Sequence, residues 1–148
     1  MTRVIAIFLN FLSMTYDTKI ETFLAEPHFM ALGTIRKDGT PHMTMVWYAY
    51  EQEGVFRVSV TTQRVKYRNV SQDPRVSFMI FDEKNPYRYF QATGRVTDIA
   101  KDASFEFIDS LAKRYMGKDR YPYDPERREN RVILTITPER FSTIGFDR

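Results

Sequence analysis

A mainly antiparallel β fold closed as a small barrel is what this chain predicts, and three observations carry the prediction. About six runs rich in β-branched and aromatic residues are punctuated by turn signals. Only two or three short segments show helical periodicity, and they do not alternate regularly with the strands as βαβ units would. Six strands with aromatic alternation favour closure over an open sheet, because closure removes unpaired edges. The length of 148 residues, with 43% hydrophobic and 28% charged, fits one globular domain with a core of its own.

The first helix is expected where Thr18 precedes Glu21 by three positions, the spacing of a capping box, with Ile20, Phe23 and Leu24 on one stripe and Pro27 as the stop. Residues 29–36 and 40–50 then read as two strands joined by the Gly-containing turn Arg36–Gly39. On the second of these, His42, Thr44, Val46 and Tyr48 share one face, and Met43, Met45 and Trp47 the other. Residues 55–61 and 75–81 are strand-like, and the polar stretch between them has room for one or two helical turns before Asp73-Pro74. Asn85-Pro86 opens a further strand in which Gly94 signals a bulge. Asp102 is a cap candidate for a helix carrying Phe105, Ile108, Leu111, Ala112 and Tyr115 on one stripe and ending at Gly117. A polar loop leads to the closing strand from Arg131.

The domain is expected to span residues 15–148. Before it, Val4–Leu12 is an apolar run of nine residues, far short of the ~20 that span a bilayer. It lacks a small-x-small cleavage site, so residues 1–14 read as an arm packing on a partner subunit or as an over-long start, and a cytoplasmic protein without a membrane span is expected. The absence of cysteine agrees with a reducing compartment.

Side-chain chemistry excludes more than it grants. The chain has two histidines, His28 and His42, no close histidine pair and no G-x-S-x-G, so metal and serine-hydrolase machinery are hard to assemble. Glycines stand at positions 33, 39, 54, 94, 117 and 145, never two apart, which removes the dinucleotide and phosphate-loop fingerprints. If the chain is an enzyme, a cofactor carries the reaction and no catalytic side chain is expected. Its anchor is suggested by "TTQRVKYRN", Thr61–Asn69. Between Glu53 and Asp73 stand four cations, Arg57, Arg64, Lys66 and Arg68, and no acid. Arg64 and Lys66 at a strand end, with Thr61 and Thr62 beside them, suit a phosphorylated ligand. The plainer alternative is a solvated loop with Asn69 as a turn or cap residue. A rival function is a nucleic-acid module using Trp47, Tyr48 or Tyr50 as stacking platforms. A net charge of only +3 favours a confined anion site over a long electrostatic track, so no nucleic-acid partner is expected.

The ordered runs 29–48, 56–82 and 85–99 resemble those of the pyridoxamine-phosphate-oxidase-like split-barrel proteins, and most closely the branch of deazaflavin (coenzyme F420)-dependent oxidoreductases, over about residues 18–146. The resemblance implies a six-stranded antiparallel split β-barrel, a homodimer, and a cofactor in a groove at the subunit interface. By position, Arg64 and Lys66 would bind the cofactor phosphate, helped by Ser59, Thr61 and Thr62. His42, Thr44, Val46 and Trp47 would line the ring, and Tyr87 and Tyr89 would build the far wall from the other subunit. Arg64, Lys66 and Asn69 form an R-x-K-x-x-N-like signature shared with FMN-dependent relatives. F420 is therefore the expected cofactor and FMN the alternative, with hydride passing to a small conjugated acceptor. A carrier that binds either cofactor without turnover is the non-catalytic alternative. His42 departs from the Gln common at its position in relatives.

Overall fold

The computed structural model describes residues 15–51 and 53–147. The expected N-terminal arm, residues 1–14, lies outside the described residues. In chain order the elements are α1 (Thr18–Ala25), β1 (Phe29–Ile35), β2 (Pro41–Val46), β3 (Ala49–Glu51), β4 (Val55–Thr61), α2 (Val65–Gln72), β5 (Arg75–Asp82), β6 (Asn85–Lys101), α3 (Glu106–Met116) and β7 (Arg131–Ile144).

All strand pairs are antiparallel, in the order β2-β1-β5-β6-β7-β4-β3. The two outermost strands, β2 and β3, are separated in sequence only by Trp47 and Tyr48. Three peptide units reach at most about 11 Å, so the edges of the sheet must come together. The sheet is therefore a barrel with one seam, closed by the chain itself and not by a strand ladder.

Seven strands stand where six were expected, because the run 40–50 divides at the seam. Tyr48 turns fully into the barrel, and its hydroxyl donates to the carbonyls of Leu24 (3.0 Å) and Glu26 (3.1 Å). Trp47 turns the other way and stacks on Tyr115 of α3, with ring centroids 5.1 Å apart. Burying consecutive aromatics in two different clusters breaks the strand ladder, and the three-residue β3 is what remains beyond the break.

The barrel interior is filled by Met30, Leu32, Phe56, Phe78, Phe90, Leu134, Ile136 and neighbouring apolar residues. A second cluster, Phe105, Ile108 and Leu111 with Trp47, Tyr115 and Tyr121 against it, lies under α3 on the outside of the seam. The α3 stripe predicted from sequence is this buried face. Arg114 donates to the terminal carbonyls of the α1 segment at Ala25 (2.9 Å) and Glu26 (2.7 Å), so α3 satisfies acceptors that α1 leaves open.

Helix starts differ slightly from expectation. Asp17, one residue before Thr18, caps α1 by accepting from the Ile20 amide at 3.0 Å. At α3 the residue before the helix is Phe105, in left-handed geometry, yet Asp102 still does the capping, accepting from the amides of Phe107 (3.2 Å) and Ile108 (3.0 Å). Gly117, at φ 67°, ends the helix as expected. The bulge at Gly94 is present, and a Cβ there would lie 2.2 Å from the Thr137 carbonyl oxygen, so only glycine fits. Among the described residues no helix is long and apolar enough to cross a membrane.

Candidate functional site

A groove of about 480 Å³ opens along the seam, lined on one side by Thr44, Met45, Val46 and Trp47 and on the other by Ser59, Val60 and Thr61. It exists because β3 is short: β3 pairs with β4 only from Val55 to Arg57, leaving the seam-facing edge of Val58–Thr61 without a strand partner. Arg64 and Lys66 close one end. The far wall of the same protomer comes from Ile108 and Leu111 of α3, Tyr121 and Tyr123 of the following loop, and Arg131 of β7.

The cations are held by α2. Asn69 is buried, and its amide donates to Thr34 Oγ1 at 3.0 Å, which pins the helix to β1. One turn earlier, Lys66 Nζ donates to Thr44 Oγ1 at 3.2 Å and so bridges α2 to the groove wall. Neither Arg64 nor Lys66 has an ion pair among those the described residues form. Burial, and then the neighbouring Arg64 charge, push the Lys66 pKa below its ordinary value. Two like charges are held together with no counter-charge among the described residues, and an anion at this end would relieve both. The N-cap position of α2 is Arg64, which makes no side-chain capping bond; the Tyr67 amide donates to the Arg64 carbonyl at 3.1 Å, so the Val65 and Lys66 amides are the ones left to a ligand or water.

Of the residues expected at a cofactor site, the structure brings together Thr44, Val46, Trp47, Ser59, Thr61, Arg64 and Lys66. The others lie elsewhere. His42 Nδ1 accepts from Arg36 at 2.9 Å, outside the groove. Asn69 serves the helix anchor just described, and the amide of Thr62 donates to the Asn130 carbonyl at 3.0 Å. Tyr87 is 79% exposed, and Tyr89 lies on the outer barrel surface in register with Phe81 and Ile144. The four-cation stretch also divides: Arg57 is taken by Glu51 at 3.1 Å, and Arg68 faces a separate shallow groove with Arg36 and Lys37.

Sequence reasoning missed Arg131, Tyr121 and Tyr123. Arg131 carried one faint signal, a cation opening an apolar strand run; it is only 7% exposed and opposes Thr61 in the β4–β7 ladder. The tyrosines sit in a loop without periodicity. That loop is ordered by Asp109, which accepts from both arms of Arg127 (2.8 Å each) and from the Tyr121 amide (2.8 Å). Arg127 in turn holds the Asp109 carboxyl below its ordinary pKa.

A seam groove with paired cations at one end and an aromatic wall is the setting in which comparison with known proteins becomes informative. The family model described as pyridoxamine 5'-phosphate oxidase matches residues 16–145. The chain belongs to this family. Among solved structures it is similar to an F420 reductase, with 38% identity and a TM-score of 0.73 over 82% of this chain and 94% of that one. It is also similar in fold to a conserved hypothetical protein from Mycobacterium tuberculosis, with 23% identity and a TM-score of 0.67 over 93% of this chain and 88% of that one. A heme storage protein from Vibrio cholerae shares the fold at 18% identity and a TM-score of 0.62, over 90% of this chain and 97% of that one. The split-barrel family expected from the sequence runs is thus the one to which this pyridoxamine-oxidase-family chain belongs, and a flavin- or F420-type oxidoreductase is the activity class these similarities support.

Proposed function

We propose that this protein is an F420-dependent oxidoreductase that holds the cofactor phosphate at Arg64 and Lys66 and lays the tricyclic ring along the seam groove. The observation that carries the reading is the pair of cations, unmatched by any carboxylate, at the end of a groove walled by Trp47. A volume of about 480 Å³ lies within the range of roughly 300–1,000 Å³ usual for small-molecule sites. Similarity at 38% identity to an F420 reductase supports F420 over FMN. When bound, the deazaflavin supplies the hydride, passed to a small conjugated acceptor. The protein's own part is to anchor the anionic end through Arg64, Lys66, Thr61 and the α2 amides, to line the ring with Thr44, Val46 and Trp47, and to exclude water.

We further propose that the working unit is a homodimer formed through the outer face of β2, β1, β5, β6 and β7. Cross-strand register sets three rows on that face: Phe29, Phe81, Tyr89 and Ile144; then Met45, Ala31, Met79, Gln91 and Ser142; then Met43, Gly33, Ser77, Thr93 and Arg140. Among these residues Arg140 alone is charged, and Met43, Met45 and Ile144 are more than half exposed. A broad sheet face with a single charged residue is a protein interface more often than a solvated surface. Phe29 and Met45 belong both to this face and to the groove, so a partner there would complete the groove, and its Tyr87 and Tyr89 are the residues proposed for that wall.

Titration of the purified protein with F420 and, separately, with FMN tests the reading. Binding of F420 with quenching of Trp47, the single tryptophan, is expected. Tight FMN binding with none for F420 would move the assignment to an FMN oxidoreductase, and binding without turnover on any acceptor would make the protein a carrier.

A further inference from the structure

We propose that Arg131 is a specificity-determining donor of the seam groove, reading an uncharged hydrogen-bond acceptor that lies between the anionic end and the planar end of the bound molecule. An imide carbonyl or a polyol hydroxyl has the right chemistry. The inference rests on the reading of the groove as the site of a phosphate-bearing ring compound, and adds a residue and a selection rule to it.

Arg131 lines the groove, yet its side chain is 7% exposed. One terminal nitrogen donates to Ser59 Oγ at 3.2 Å, the other to Glu129 Oε2 at 2.7 Å, and the Tyr121 ring covers the guanidinium at 4.4 Å. Its Nε is buried and has no hydrogen-bond partner among the described residues. An unsatisfied buried donor costs free energy that a ligand acceptor can restore. Because Arg131 opposes Thr61 and reaches back to Ser59, its head group lies about 7 Å, two strand residues, further along the groove than the strand end that leads to Arg64.

Charge decides what it can read. Arg64 and Lys66 have no carboxylate and suit an anion, whereas Arg131 is already neutralised by Glu129 at hydrogen-bond distance. A second anion beside Arg131 would be repelled by Glu129, but a neutral acceptor would not. The groove therefore encodes a ligand with its charge at one end, neutral oxygens in the middle and a flat ring against Trp47.

The test uses the full chain. Arg131→Gln is titrated with whichever of F420 and FMN the wild type binds, and separately with inorganic phosphate. The expected result is at least roughly tenfold weaker cofactor binding, one lost hydrogen bond to a charged donor being worth about that much, with phosphate affinity reduced by no more than the roughly two- to fivefold that an unneutralised Glu129 entails. Equal losses for both probes would make Arg131 part of the anion clamp and overturn the proposal, as would unchanged cofactor affinity. Glu129→Gln, at the half-exposed partner, provides an arm that needs neither cofactor binding nor a folded Arg131 variant. Freeing the Arg131 charge is expected to tighten inorganic phosphate binding roughly two- to fivefold and to steepen its salt dependence. No change in either would overturn the neutral pairing. A wild type that binds neither F420 nor FMN would instead count against the functional reading, and the phosphate arm would still decide this one.

Discussion

The two ends of the seam groove treat positive charge in opposite ways. At the loop and β7 wall, Arg127, Arg128 and Arg131 each hold a carboxylate, from Asp109, Glu126 and Glu129. At the α2 end, Arg64 and Lys66 hold none among the described residues, and the lysine's proton is destabilised by burial and by its neighbour. The difference teaches which arginines are structural. A paired guanidinium orders a loop or, as at Arg131, offers a directed donor without net charge. An unpaired one, kept close to another cation at an energetic cost, is the arrangement on which the proposed anion site rests.

The largest effect should come from emptying the receptor end. Arg64→Ala with Lys66→Ala is expected to weaken F420 binding at least roughly a hundredfold, since each charge-assisted contact contributes about 1.5–3 kcal/mol. Thermal unfolding should be unchanged or slightly raised, because the pair is mutually repulsive in the free protein. Tight binding by the double variant in a fluorescence titration would end the clamp assignment. The paired end should respond in the reverse way. Asp109→Ala strips the 117–130 loop of its bidentate partner and should cost about 2 kcal/mol, or about 4–8 °C in melting temperature.

pH sharpens the same contrast. Lys66 has a lowered pKa in the free protein, and a bound anion would raise it, so binding takes up protons between those two values. Affinity for sulfate, an anion that keeps its charge across this range, should fall as pH rises through the lowered pKa. Lys66→Arg, always charged, should flatten that fall, which isothermal titration at several pH values would show. Asp109 gives the acid-side counterpart: its folded pKa is depressed, so its contribution is present above the ordinary carboxylate value and is lost as pH falls through the folded one. The smallest effect is expected at Arg57. Its pair with Glu51 is about half exposed, and Arg57→Ala should change stability by less than about 0.5 kcal/mol and leave cofactor affinity alone.

Legibility followed the range of the interactions. The strands from 29, 55, 75 and 85, the α3 stripe and its stop at Gly117 were readable because each depends on periodicity or a single residue's backbone preference within a few positions. The cation pair was readable for the same reason, being adjacent in sequence at a strand end. The anchoring bond of Asn69 could not be read from sequence because its partner, Thr34, lies 35 positions away, and nothing near Asn69 says whether its amide faces a ligand or a strand. Trp47 and Tyr48 were assigned to one continuous strand because alternation cannot show that the two faces of the chain belong to different clusters.

The sequence by itself determined a β barrel with an acid-free cluster of cations after one strand, since both follow from local pattern and local charge. Only the tertiary structure decided which cations stay free, because pairing depends on which carboxylates the fold brings near. Glu51 removed Arg57 from the site, Glu129 neutralised Arg131 within it, and the seam between β2 and β3 left Arg64 and Lys66 without a carboxylate of their own.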